Sequence, residues 1–230
     1  ARLLAAEADG LPLLLLDCPA LFDRPGNPYL DASGHDWADN GIRFGLLSRV
    51  AARLGQPASP LGWQPDVVNL NDWQSALAPA WLHYEGGAPS VVTVHNIAFQ
   101  GNFAADLLPA IGLPAHAWRF DGVEYHGQLS FLKAGLQLAT LISTVSPTYA
   151  REIQDEAFGY GLAPLLCHRA DALRGILNGV DSALWNPTAD PSLAVPYAAN
   201  RLAAKRENKR ALQQEMGLDV AADRPLFGVI

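Results

Sequence analysis

The chain is poor in cysteine, and its 230 residues carry only one clustered block of positive charge. Its two cysteines, Cys18 and Cys167, have no second cysteine or histidine at ligand spacing. That excludes a disulfide framework and a structural zinc site, and it points to free thiols in a reducing compartment. The formal net charge is −7, and the one dense basic run, KRENKR at 205–210, lies in a helical stretch. A nucleic-acid duplex is therefore a poor match, and a small or neutral ligand a better one. The longest apolar run, LPLLLL at 11–16, falls far short of the roughly 20 residues a membrane helix needs. No basic, apolar secretory leader opens the chain, its only methionine is Met216, and it stops within the strand-like PLFGVI. Both ends read as cuts through a longer protein. Several catalytic signatures are missing as well: G-x-G-x-x-G after a strand, G-x-x-x-x-G-K-[ST], H-E-x-x-H, C-x-x-C and G-x-S-x-G. The dinucleotide, P-loop, zinc-protease and serine-elbow readings fall with them.

What is present is a globular composition, 50% hydrophobic and 17% charged, of a size for one large domain. Short, almost wholly apolar runs at 13–16, 67–70, 91–94, 141–145, 176–177 and 226–230 read as strands. Helical spacing separates them. Apolar residues at 42, 46, 47, 50 and 54 make one face, and 73–84 repeats the pattern. A third stripe runs through Leu129, Leu132, Leu136 and Ala139, and Ser146 before Pro147 marks a fourth helix start. Strands alternating with helices predict a parallel sheet covered on both faces. From 200 to 216 the chain turns charged, reading as a solvated helix that ends at Gly217 and leads into a linker. A domain boundary is expected near 221, with 222–230 as linker and first strand of a following domain.

Ligand sites in such sheets lie beyond the carboxyl ends of the strands. Four junctions are informative. Asp72, after the 67–70 strand, reads either as a helix cap or as a carboxylate facing the crevice. His95 and Asn96 end the valine strand of SVVTVHNIAFQG (90–101). They suit hydrogen bonding to an uncharged polar ligand such as a sugar, or bonding to a neighbouring loop. Ser143, Thr144 and Ser146 read first as caps, and Asn178–Gly179 as a tight turn with positive φ. Six tryptophans and six tyrosines supply rings for stacking on sugars or for filling a core.

The junctions fall within longer stretches: LFDRPGNPY (21–29), DNGIRFGLLSRV (39–50), NDWQSALAPAWL (71–82), TVHNIAFQGNF (93–103), VEYHGQLSFLKAGL (123–136), TVSPTYAREIQ (144–154), FGYGL (158–162) and GILNGVDSALWNP (175–187). In this order, over nearly the whole chain, they resemble the bacterial glycogen synthase and plant starch synthase family. The resemblance implies a GT-B glycosyltransferase built of two Rossmann-like halves, with 1–221 as most of the amino-terminal, acceptor-side half. It implies a retaining glucosyltransferase that moves glucose from ADP-glucose to the non-reducing end of an α-1,4-glucan, in a bacterial cytoplasm or a plastid.

Carried over residue by residue, it makes His95 the catalytic candidate lying against the donor glucose, with Asp72 beside it. Asn96, Tyr29 and Asn178 are the substrate-binding candidates. It implies no metal and no resident cofactor, because basic side chains neutralise the leaving diphosphate. The family's K-x-G-G-L signature does not occur in the chain. The donor-holding arginine, lysine and glutamate belong to the other half, so the isolated segment is expected to be inert. The family more often carries histidine where this chain has Asn69 or Asn71. Rival readings are another GT-B transferase, of the sucrose or trehalose-phosphate synthase type, and a non-catalytic glucan-binding half.

Overall fold

The computed structural model describes residues 1–229. Its contacts divide the chain into two compact units, Ala1–Leu177 and Asn178–Ile230. The first unit opens with an antiparallel hairpin, β1 (Arg2–Ala8) and β2 (Leu11–Asp17), paired from Arg2↔Asp17 to Ala8↔Leu11. Its turn is Asp9–Gly10 with φ 51° and 77°. Positive φ at both turn residues matches the right-handed twist of the flanking strands, and Asp-Gly supplies it cheaply. The strand expected at 13–16 therefore exists but stands outside the parallel sheet. Leu11, Leu13, Leu14 and Leu15 are exposed, so the continuous leucine run signals no burial here.

After α1 (Pro19–Phe22) and α2 (Asn40–Leu54) comes the parallel core: β3 (Val68–Asn71), α3 (Asp72–Ser75), α4 (Ala78–Glu85) and β4 (Ser90–Val94). A small antiparallel insertion follows, with β5 (Asn102–Phe103), α5 (Leu107–Ala110), β6 (Glu124–Tyr125) and β7 (Gln128–Ser130). The core resumes with α6 (Phe131–Leu138), β8 (Leu141–Thr144), α7 (Pro147–Glu152), α8 (Ala163–His168) and β9 (Leu173–Gly175). The main sheet runs β3-β4-β8-β9, every pair parallel. With its helices it makes the Rossmann-like α/β fold expected. The central strand β4 buries Ser90, Val92 and Val94, and Trp81, Leu77, Leu132, Leu136 and Ile142 join Val92 in one hydrophobic cluster.

Several expected elements shift. The helix read over 73–84 is two helices, because Pro79 opens the second and its ring cannot donate back into the turn before it. Leu129 belongs to β7, so the third helix begins only at Phe131, with the Ser130 side chain accepting from the Lys133 amide. The last strand of the sheet is Leu173–Gly175 rather than 176–177. Ile176 keeps only one ladder bond, its N–H donating to the Thr144 carbonyl at 2.8 Å. Gly179 does not take positive φ, so the tight turn is not formed there.

In the second unit, α9 (Lys205–Glu215) is the expected charged helix. It is preceded by a loop pinned through Asn208, whose side chain both donates to and accepts from the Val195 backbone. Over 226–229 no strand forms, since no partner strand pairs with that stretch; residue 230 lies outside the described residues.

Candidate functional site

The carboxyl ends of β3, β4 and β8 carry a ladder of neutral polar side chains. The parallel register sets Asn71 beside Thr93 and Thr93 beside Ser143. The Thr93 hydroxyl donates to Asn69 Oδ1 at 3.0 Å and lies 2.8 Å from Ser143 Oγ. Having one proton, Thr93 spends it on Asn69, so Ser143 donates to Thr93. Thr144 turns its hydroxyl to the Val94 carbonyl at 2.7 Å. Of the hydroxyls read as caps, only Ser146 is one: it accepts from the amides of Thr148 and Tyr149.

Asp72 does not cap its helix. No side-chain cap is formed at α3, and Asp72 itself sits at φ 52°. Left-handed backbone at a non-glycine residue costs about 1 kcal/mol and persists only where neighbours over-determine it. Here the Asp72 carboxylate accepts from the His95 amide at 2.7 Å and, more loosely, from the Asn96 amide at 3.4 Å. It thereby ties the start of one helix to the loop after the neighbouring strand. The His95 ring is held separately, with Nε2 3.0 Å from Asn71 Oδ1. The loop turns onward as Asn96 Oδ1 accepts from the Ala98 amide, while the Ile97 amide donates to the Tyr149 hydroxyl at 3.0 Å.

Tyr29 reaches the same crevice from the loop before α2. The anchor of that loop is Arg43, almost wholly buried, which donates to the carbonyls of Leu21 and Pro28 and to Asn40 Oδ1. Burial holds its guanidinium below the ordinary arginine range, and the three acceptors satisfy it. Asn40 donates to the Tyr29 carbonyl, and Gln74 Nε2 donates to the Tyr29 hydroxyl at 2.8 Å. The Tyr29 ring packs near Phe44 and Trp73, and Trp73 continues the aromatic cluster to Phe103 and Phe131.

These walls enclose a cavity of about 920 Å³ whose lining includes Tyr29, Asp72, Asn96, Phe99, Gln100 and Tyr160. Phe99 and Tyr160 are each 62% exposed, so neither ring is committed to the core. Tyr160 sits at φ 49°, and its carbonyl accepts from Gln100 Nε2 at 2.8 Å, which joins the 158–162 loop to the 95–101 loop. The arrangement offers amide, imidazole and carboxylate groups beside free aromatic faces, the equipment for a polar, uncharged, ring-shaped ligand.

Of the residues expected from sequence, Asp72, Asn96 and Tyr29 line this cavity, and His95 adjoins it through its amide bond to Asp72. Asn178 begins the second unit. Sequence reasoning marked Asn71 only as a departure from the family pattern and missed Trp73, Phe99, Gln100 and Tyr160 as site residues. Asn71 and Trp73 flank Asp72, and Phe99 and Gln100 lie within the HNIAFQG stretch, but only the tertiary contacts assemble them. No group of three His, Cys, Asp or Glu side chains that could hold a metal ion occurs among the described residues. No helix among them is long and apolar enough to cross a membrane.

Fold and site together define a Rossmann-like α/β domain with a sugar-suited crevice at the carboxyl edge of its parallel sheet. The profile of the starch synthase catalytic domain matches residues 1–168, and the chain belongs to that family. A protein of Dechloromonas aromatica named glycogen synthase is 79% identical over 229 residues, covering all of this chain and 47% of its own length. One of Nitrosomonas europaea, also named glycogen synthase, is 53% identical over 231 residues with the same coverage. Among solved structures, the catalytic domain of starch synthase IV from Arabidopsis thaliana, bound to ADP and acarbose, superposes with a TM-score of 0.74 at 30% identity. That match covers 95% of this chain and 45% of the plant one. The chain thus spans about half the length of the curated relatives it matches.

Proposed function

We propose that the protein to which this chain belongs is a glycogen synthase. It transfers glucose from ADP-glucose to the non-reducing end of an α-1,4-glucan with retention of configuration, in a bacterial cytoplasm. The observation that carries the reading is the 79% identity, over the whole chain, to a protein named glycogen synthase. The crevice supports it, with His95 and Asn96 beside a cavity bordered by exposed Phe99 and Tyr160. The acarbose and ADP of the plant neighbour are a glucan-like and a nucleotide ligand on a related fold.

In this reading ADP leaves from the face on which the glucan hydroxyl arrives, through an oxocarbenium-like transition state. Positioning and electrostatics supply the rate. His95 hydrogen-bonds a hydroxyl of the transferred glucose, and Tyr29, Asn96 and the exposed rings form the acceptor side. Asp72 is a cleft residue of the catalytic set: its Oδ1 holds the His95 amide, and its second oxygen is left for a substrate hydroxyl. By the family resemblance alone, Asn178 is a further contact to the transferred glucose. The reading invokes no resident cofactor or metal. Basic side chains of the other half neutralise the diphosphate, so residues 1–230 alone are inert.

The test is an assay of the full-length protein with ADP-glucose or UDP-glucose and a glycogen primer, with and without His95→Ala. Incorporation from ADP-glucose that falls by orders of magnitude in a folded His95→Ala variant supports the assignment. Near-normal activity of that variant would sink the role of His95. Preference for UDP-glucose, or transfer to a small acceptor in place of glucan, would move the protein to another GT-B activity.

A further inference from the structure

His95 is fixed at two independent points. Its backbone amide is held by the Asp72 carboxylate, and its ring by Asn71, whose Oδ1 lies 3.0 Å from Nε2. Asn71 is itself immobilised at the end of β3. Its N–H donates to Ser75 Oγ and its carbonyl accepts from the same hydroxyl, both at 2.9 Å, while its Cα is in register with Thr93 of the central strand. The backbone of Asn71 is therefore fixed beside the imidazole, and the bond to Nε2 is the one hydrogen bond its carboxamide makes among the described residues.

An amide oxygen can only accept. The ring nitrogen facing it must carry a proton, and in the neutral imidazole the proton cannot be on both nitrogens. Among the described residues no other hydrogen bond reaches the ring. We propose that Asn71 is a positioning residue that locks His95 in the Nε2–H tautomer, so that Nδ1 meets the sugar as an acceptor and the sugar hydroxyl donates. The inference rests on the reading of His95 as the group facing the transferred glucose, and it decides the direction of that hydrogen bond. It also makes the identity of residue 71 matter. With Oδ1 turned to the ring, the carboxamide serves as an acceptor and Nε2 carries the proton; the same carboxamide turned over would present Nδ2 as a donor and select the other tautomer.

The test has two arms on the full-length protein labelled with 15N at histidine, with the His95 signal identified by its loss in His95→Gln. In the parent protein the neutral His95 ring should show a single Nε2–H tautomer. In Asn71→Leu, the ring nitrogens should shift toward the average of the two tautomers while the unfolding midpoint stays close to the parent. In Asn71→Asp, which keeps an acceptor, the single tautomer should remain. In glucan-synthesis assays, Asn71→Leu should lower kcat up to about tenfold, the equivalent of one neutral hydrogen bond, with KM for glucan little changed. Asn71→Asp, which keeps an acceptor facing Nε2, should return most of that rate. A parent ring protonated at Nδ1, or an Asn71→Leu variant with unchanged tautomer and unchanged kcat, overturns the proposal. A parent protein that transfers no glucose from ADP-glucose overturns the functional reading instead, and the NMR arm still decides whether Asn71 sets the tautomer.

Discussion

Gly101 lies flat against Trp73: a Cβ placed on Gly101 would stand 2.3 Å from Cε3 of the indole, and the residue sits at φ 60°. Trp73 is 9% exposed and touches the rings of Tyr29, Phe44, Phe103 and Phe131. The contact therefore couples the loop after β4 to the aromatic floor of the cavity.

Gly101→Ala should cost about 2–4 kcal/mol. Roughly 1 kcal/mol comes from left-handed backbone at a residue with a Cβ, and the rest from displacing the indole in a packed cluster. Chemical denaturation monitored by tryptophan fluorescence would measure it. A loss below about 0.5 kcal/mol, the range of ordinary surface changes, would mean that the loop moves away freely.

Asp72→Ala should remove the charge-assisted bond to the His95 amide and destabilise by about 1–3 kcal/mol. Asp72→Asn, which keeps an acceptor oxygen, should cost less. Hydrogen exchange at the amides of His95 and Asn96 gives the specific readout: protection at both should fall in Asp72→Ala and largely persist in Asp72→Asn.

Arg43→Lys keeps the charge but loses the fork that reaches Leu21, Pro28 and Asn40 together. Leaving those acceptors partly unpaired around a buried ammonium should cost about 2–4 kcal/mol. NMR order parameters of the backbone around Tyr29 should drop more than those of β4, because the loop depends on this anchor and the strand does not.

Asp39 is held below the ordinary aspartate range chiefly by its hydrogen bonds to the Arg24 guanidinium, 2.5 Å away at the closest. A carboxylate with a lowered folded pKa contributes stability that is complete above the unfolded value near 3.9 and is lost as pH falls through the lower folded value. Arg24→Ala should raise the Asp39 titration toward the unperturbed value, followed by the 13C shift of its carboxyl carbon. The acid side of the stability profile should then flatten below about pH 4, since the folded and unfolded values converge.

If the acceptor glucan lies across Phe99 and Tyr160, Tyr160→Ala and Phe99→Ala should each raise the KM for glucan about fivefold, the equivalent of about 1 kcal/mol per ring. The KM for ADP-glucose should stay unchanged, and Tyr160→Phe should behave like the parent. Equal KM values for glucan across all of these proteins would remove both rings from the acceptor site.

The parallel core was legible because its signals are local. Val91–Val94 and the helical faces on either side of it are one-dimensional patterns, and burial on both sides of a strand leaves an apolar run in the sequence. The same rule misread 13–16, where an equally apolar run forms one arm of a hairpin with exposed leucines. Asp9–Gly10 was the better signal there, since it marks the turn that makes the two strands antiparallel. Pro79 likewise announced the break in the 73–84 helix.

The site divides along the same line. His95, Asn96 and Asp72 were found because they end strands, and strand ends in such folds face the crevice. What sequence left open was whether Asp72 caps a helix or serves the crevice, and the fold decided for the His95 amide, 23 positions away. Asn71 against the His95 ring, Gly101 against Trp73 and Gln100 against the Tyr160 carbonyl are likewise pairs distant in the chain. Residue type and spacing state what a side chain can do. Which partner it meets depends on strand register and loop closure, and these are set only when the whole sheet is assembled.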